Sequence, residues 1–177
     1  MDERADACGD SVGNMKCTSA RKRRKEMKVI VCVDNQNGMM FNHRRQSQDR
    51  MLRKRVLELT GGKKLWMNAY SQKQFLQDLQ GNGTMPEGQG KSRQMESIQV
   101  DEAFLEKAGT GEYCFVEDRD IVPYEKRIEE VILYRWNRDY PGDMYFKLDL
   151  SGWKLAETRE YAGSSHEKIT EERYVRG

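Results

Sequence analysis

The chain has 177 residues, of which 34% are charged and 37% hydrophobic, and its formal net charge at pH 7 is +2. This length is typical of one domain that buries a core. No apolar run approaches the roughly 18 residues of a membrane span, and the N-terminus lacks the apolar segment of a signal peptide. The sequence therefore predicts a cytoplasmic protein with no membrane partner.

The charge is distributed unevenly along the chain. Residues 1–26 hold seven basic and five acidic residues, which together give the whole net charge, and their polar composition predicts a disordered basic extension. We expect the folded domain to span residues 27–177. Residues 44–64 are basic and residues 101–130 acidic, a pattern that favours binding of an anion or pairing in a homo-oligomer. It argues against nucleic acid, which requires a clearly basic domain.

The first half of the predicted domain alternates strands and helices. A buried strand over residues 29–33 leads into a polar loop, and a helix with Ser47 as its N-cap ends at Gly61. A short strand over residues 64–67 follows, and then a second helix that begins at Ser71.

The second half contains further helices and then a group of strands. Residues 81–97 are polar and rich in glycine, which predicts a long loop. The elements predicted after it are a strand at 98–100, a helix from Asp101, a strand at 113–116, a helix at 123–130 and strands at 131–136, 144–146, 153–161 and 168–174. This order predicts an α/β fold with a mostly parallel central sheet, flanking helices and an antiparallel C-terminal edge.

The order of these elements and several short motifs resemble the dihydrofolate reductase family. The closest matches are Gly142-Asp143 with Phe146, Trp153 in a Leu-Ser-Gly-Trp segment, and a closing strand that ends at Tyr174. The resemblance covers roughly residues 27–175. It implies a dihydrofolate-reductase-like fold.

The resemblance also implies a pterin-binding acid at Asp49, at the start of the first long helix. A carboxylate in a partly apolar pocket can hold a proton or bind an amidine-like edge, so Asp49 is our catalytic candidate. Favourable interaction with the helix dipole is the alternative explanation. The family's Pro-Trp is replaced by His43-Arg44-Arg45. Residues expected to line the same cleft are Val33, Asn37, Gly38 and Tyr134.

The positions that hold NADPH in that family differ in this chain. The basic residue after the second strand is replaced by Ala69, and only Ser71 keeps a hydroxyl at a helix N-terminus, where an anion can dock. The family's Gly-Gly turn is replaced by Glu117-Asp118, which adds side chains and like charge where a diphosphate would lie. The sequence thus argues against ordinary NADPH binding and leaves the cofactor unknown, with Ser71 as the cofactor-binding candidate.

Other catalytic chemistry finds little support in the sequence. His43 and His166 are the only histidines, and neither has the spacing of a metal ligand. Serine and histidine are adjacent at Ser165-His166, and neighbours in a strand point to opposite faces. This segment therefore favours a hairpin turn over a catalytic dyad.

Three functions follow from these observations. The preferred one is a diverged dihydrofolate-reductase-like protein that binds a small molecule or a partner through the old cleft and is not an efficient NADPH-dependent reductase. The first alternative is an active pteridine or folate oxidoreductase with altered nucleotide contacts. The second is an RNA-processing factor of the ribonuclease Z kind, which rests only on the basic helix and the basic tail, since the metal-binding histidines of that enzyme are missing.

Overall fold

The computed structural model describes residues 26–81 and 89–177. Apart from Glu26, the predicted N-terminal extension lies outside the described residues. Strands and helices alternate through the first two thirds of the described chain, and strands dominate its end.

The described chain contains two sheets. The strands of the large sheet are β1 (Met27–Val33), β4 (Leu65–Met67), β5 (Ile98–Val100), β6 (Tyr113–Val116), β7 (Ile128–Arg135), β9 (Trp153–Tyr161) and β10 (Ile169–Arg176). The strands of the small sheet are β2 (Gly38–Phe41), β3 (Arg44–Arg45) and β8 (Met144–Tyr145). The helices are α1 (Arg50–Thr60), α2 (Ala69–Gln80), α3 (Gln89–Ser97) and α4 (Phe104–Lys107), with a 3₁₀ helix at Val122–Arg127.

The large sheet has the strand order β5-β4-β6-β1-β7-β10-β9. The pairs that join β5, β4, β6, β1 and β7 are parallel, whereas β10 is antiparallel to both β7 and β9. This arrangement confirms the predicted fold class. Because parallel strands end at the same edge of a sheet, the segments that follow β1, β4 and β6 are brought together there.

The core occupies both faces of the large sheet. Along β1, Val29 and Val31 belong to one buried cluster, and Ile30 and Cys32 to the other. Alternate side chains of a strand point to opposite faces, so a central strand covered on both sides is apolar throughout. The longest helix of the described residues is α2, with 12 residues, and no described helix is long and apolar enough to cross a membrane.

Five predictions about individual elements were wrong. Helix α2 begins at Ala69 rather than Ser71, because Asn68 is its N-cap and accepts the backbone N–H of Ser71. The short helix α4 begins at Phe104 rather than Asp101.

Asp49, not Ser47, is the N-cap of α1, because its side chain accepts the backbone N–H groups of Met51 and Leu52. Within the predicted loop at 81–97, residues 89–97 form α3, a mainly polar helix without an apolar stripe to reveal it. Strand β7 begins at Ile128 rather than residue 131, because the preceding helix is a 3₁₀ helix that ends at Arg127.

Candidate functional site

A polar cleft of about 710 Å³ opens beside the N-termini of α1 and α2. Its volume is within the range of small-molecule sites in proteins. Guanidinium, amide and hydroxyl groups dominate the lining, which comprises Arg45, Gln46, Ser47, Gln48, Asp49, Arg50, Arg53, Tyr70, Gln74, Gln77, Asp78, Ser164 and Ser165. We call this space the polar cleft.

Asp49 joins the N-terminus of α1 to the turn at residues 163–166. Its Oδ1 accepts hydrogen bonds from the backbone N–H groups of Met51 (2.8 Å) and Ser164 (3.0 Å), and its Oδ2 accepts one from the N–H of Ser165 (2.8 Å). The residue is only 2% exposed. Burial by itself opposes ionisation, but hydrogen bonds from Ser164, Ser165 and His166 outweigh it and hold the pKa of Asp49 well below its usual range. The ionised carboxylate is therefore fully engaged by the chain itself.

The His166 imidazole connects Asp49 to two hydroxyl groups. Its Nδ1 lies 3.1 Å from Asp49 Oδ2, and its Nε2 lies 3.0 Å from Ser47 Oγ and 3.0 Å from the hydroxyl of Tyr140. The ring stacks on Trp136, with centroids 4.5 Å apart and an angle of 22° between the planes. An ionised carboxylate can only accept, so Nδ1 carries a proton, and Nε2 is an acceptor whenever this is the only proton on the ring.

The N-terminus of α2 is occupied by carboxylates of the same chain. Ser71 Oγ donates to Glu117 Oε2 at 2.6 Å, and Asn68 Nδ2 donates to Asp118 Oδ2 at 2.9 Å. Arg45 Nη2 lies 3.0 Å from Glu117 Oε2. Burial raises the pKa of Glu117, while the nearby Arg45 charge opposes that rise. These contacts place negative charge where a helix N-terminus would otherwise attract an external anion.

The arginines of the polar cleft differ in their surroundings. Arg53 forms a two-point contact with Asp78, with Nε–Oδ2 at 2.5 Å and Nη2–Oδ1 at 3.1 Å. The Arg45 side chain is 8% exposed, and its guanidinium carbon lies 4.3 Å from the centroid of the Tyr70 ring. Within the described residues, Nε of Arg45 has no hydrogen-bond partner. Arg50 is exposed.

The two main site candidates from the sequence lie at neighbouring helix N-termini. Asp49 lines the polar cleft, whereas Ser71 is 1% exposed and its hydroxyl is directed to Glu117. Both side chains are therefore buried, Asp49 at the edge of the polar cleft and Ser71 against an internal carboxylate. Their catalytic and cofactor-binding roles stay predictions.

The other four candidates do not line the polar cleft. Val33 is completely buried, and the buried Tyr134 donates its hydroxyl to Glu171 at 3.0 Å. Asn37 is exposed in a turn with a φ of 63°, where asparagine is tolerated. The N–H of Gly38 donates to a buried carboxylate at 2.7 Å, and a Cβ on Gly38 would lie 2.3 Å from Gln46 Nε2. Val33 and Tyr134 thus belong to the large sheet. Asn37 lies in the turn between β1 and β2, and Gly38 is the first residue of β2.

Sequence reasoning missed Ser47, Tyr140 and His166 as one cluster. Ser47 and His166 are separated by 119 positions, so spacing could not reveal their contact. One usable signal was the Ser164-Ser165 pair, since successive backbone N–H groups in a turn form a concavity that suits a carboxylate. Residues 26–81 and 89–177 hold no group of three or more histidine, cysteine, aspartate or glutamate side chains arranged to bind a metal.

Comparison with solved structures identifies the fold. The chain is similar to the dihydrofolate reductase from Enterococcus faecalis complexed with NADP(H) and RAB-propyl, with a TM-score of 0.54 and 14% sequence identity. The match covers 87% of this chain and 98% of that one. No protein-family model and no curated protein sequence matches the chain. The protein therefore has a dihydrofolate-reductase-like fold.

Proposed function

We propose that this protein binds a small polar molecule through its polar cleft and is not an efficient NADPH-dependent reductase. The observation that carries the proposal is the engagement of Glu117 by Ser71 and Arg45 at the N-terminus of α2. In the family that the chain resembles, this region holds the phosphates of NADPH. Here Glu117 takes the hydroxyl of Ser71, the one group that the resemblance matches to phosphate binding, while the adjacent cleft of about 710 Å³ stays open.

The pterin side supports the same proposal. A pterin would need the Asp49 carboxylate, which already accepts hydrogen bonds from Ser164, Ser165 and His166. Displacing these donors would leave buried N–H groups without partners, at a cost of about 1–3 kcal/mol each. Both anchoring positions of the reductase reaction are thus occupied by the chain itself.

The composition of the polar cleft supports a polar ligand. Arg50 and Tyr70 are exposed on its wall, and the guanidinium of Arg50 supplies hydrogen-bond donors there.

We also propose that the protein is cytoplasmic. Cys32 and Cys114 are free thiols, as expected of a reducing compartment. The described residues supply no observation that favours the RNA-processing alternative.

Calorimetry and thermal-shift measurements test this proposal on the purified protein. We expect no binding of NADPH or dihydrofolate, and a rise in melting temperature with members of a panel of small carboxylates, phosphates and nucleosides. Tyr70→Ala should abolish that rise, whereas Tyr145→Ala, at an exposed tyrosine outside the cleft, should preserve it. Micromolar binding of NADPH, or its oxidation in the presence of dihydrofolate, would restore the reductase alternative.

A rescue variant examines the reason for the missing NADPH binding. Glu117→Gly and Asp118→Gly remove the internal carboxylates, and Ala69→Arg adds a base at the start of α2. We expect the triple variant to gain measurable NADPH affinity because like-charge repulsion of about 1–4 kcal/mol per close pair is removed. Ala69→Arg alone is the control and should gain little. Absence of any gain in a folded triple variant would contradict the internal-carboxylate explanation.

A further inference from the structure

We infer that Ser47, His166 and Asp49 form a nucleophile–base–carboxylate triad that cleaves esters of small carboxylic acids in the polar cleft. The inference rests on the proposed binding of a small molecule in that cleft and adds a reaction to it. Ser47 Oγ lies 3.0 Å from His166 Nε2, and His166 Nδ1 lies 3.1 Å from Asp49 Oδ2. These are the two contacts that define a serine hydrolase triad, which is recognised by geometry on unrelated folds.

The three groups differ in exposure in the manner that such a site requires. Ser47 is half-buried and lines the polar cleft, beside the space that a bound molecule would occupy. The side chains of His166 and Asp49 are 1% and 0% exposed. Water therefore has little access to the base and the carboxylate, whereas the nucleophile is available to substrate.

Neighbouring side chains hold the imidazole in the productive orientation. Trp136 stacks against one face of the ring, and the carboxylate of Asp49 fixes the proton on Nδ1. Tyr140 lies within 3.0 Å of Nε2 and donates to Ser47 Oγ at 3.4 Å. When Tyr140 donates to Ser47, the lone pair of Nε2 is free to accept the serine proton.

The reaction follows from these positions. Ser47 Oγ forms a bond to the acyl carbon while its proton passes to His166 Nε2, and the imidazolium is stabilised by Asp49. The bond from the acyl carbon to the alcohol oxygen then breaks, and the alcohol leaves with the proton from Nε2. Water attacks the acyl-serine, gives a proton to Nε2 and releases the carboxylic acid as Ser47 recovers its proton. The only co-reactants are the ester and water.

The turn that carries His166 serves the triad as well as the fold. Ser164 and Ser165 satisfy Asp49 through their backbone N–H groups, so they align the carboxylate without using the imidazole. Ser165 Oγ lies 3.2 Å from Nδ1, on the side of the ring away from the nucleophile position. Ser47, which contacts Nε2, is therefore the serine that we assign as the nucleophile.

The test uses the full-length protein, a fluorophosphonate probe and p-nitrophenyl acetate. We expect the probe to modify Ser47, as located by mass spectrometry, and p-nitrophenyl acetate to be hydrolysed. Ser47→Ala should abolish labelling and lower hydrolysis by at least about 100-fold. Ser151→Ala, at an exposed serine in the turn before β9 that does not line the polar cleft, is the matched control and should retain the full rate. Each variant is compared at equal folded fraction by circular dichroism.

Asp49→Asn tests the positioning residue. Asparagine can still cap the helix but no longer holds the proton on Nδ1, so kcat should fall at least about 100-fold while KM changes by less than about threefold. A loss confined to KM would contradict the positioning role. If Asp49→Asn fails to fold, labelling of Ser47 in the wild-type protein still tests the triad.

Two results would overturn the triad. One is no labelling of the native protein above that of the heat-denatured protein, and the other is equal hydrolysis by wild type and Ser47→Ala. If a ligand from the thermal-shift panel still binds in either case, the proposed cleft binding stands and only the triad fails. If labelling at Ser47 occurs without any ligand from that panel, the triad stands and the panel lacked the substrate.

Discussion

Replacing Asp49 with alanine should destabilise the protein more than any ordinary surface substitution. The side chain caps α1 through Met51 and Leu52 and binds the turn at 163–166 through Ser164 and Ser165. Losing an N-cap costs about 0.5–2 kcal/mol. Two N–H groups of the turn, left without their partner, cost about 1–3 kcal/mol each.

These contributions overlap, because the turn can relax once its anchor is gone. We therefore expect a loss of about 3–5 kcal/mol, the range seen when one partner of a buried ionic contact is removed. The free energies of unfolding of wild type and Asp49→Ala are compared by urea titration, with the m value checked for constancy. Asp149→Ala is the control, since Asp149 also accepts a backbone hydrogen bond, from Ser151 at 2.9 Å, but is exposed.

The same carboxylate predicts a dependence on pH. The pKa of Asp49 is depressed in the folded state, so its stabilising contribution is complete above the unfolded value of about 3.9 and is lost as the pH falls toward the folded value. The stability difference between wild type and Asp49→Asn should therefore narrow as the pH is lowered below about 4. A loss in Asp49→Ala below about 1 kcal/mol, or a difference from Asp49→Asn that does not change with pH, would refute this account of the site.

Two further predictions concern packing and thiol chemistry. Gly163→Ala should lower the free energy of unfolding in urea by about 1–3 kcal/mol, because its Cβ would lie 2.4 Å from Asp49 Oδ2. Gly152→Ala is the control and should change that free energy little, since no atom lies within 4 Å of its added Cβ. Equal losses in the two variants would contradict the packing argument. Burial raises the pKa of the Cys114 thiol to about 12 and raises the pKa of the Cys32 thiol well above its usual value. Both cysteines should therefore be alkylated in urea but not in the native protein, as measured by peptide mass spectrometry. Rapid native labelling of either would show that the sheet opens.

Much of the fold could be predicted from local patterns. The apolar run of β1, the polar loop after it and the alternation of helices with short strands indicated a parallel sheet, and the closing strands indicated its antiparallel edge. These signals are local because alternation of side chains in a strand and the apolar stripe of a helix depend on near neighbours. Helix α3 was not predicted because it is mainly polar and has no apolar stripe that a sequence pattern could reveal.

The site depended on the tertiary structure. From the sequence alone, Asp49 was a candidate acid, Ser71 a candidate anion site and Glu117-Asp118 an obstacle to a diphosphate. Only the tertiary structure shows that the hydroxyl of Ser71 donates a hydrogen bond to Glu117. Only the folded chain brought His166 between Asp49 and Ser47, which lie 117 and 119 positions away from it. Buried polar groups must find partners, and which partners they find is set by the packing of distant segments rather than by any spacing along the chain.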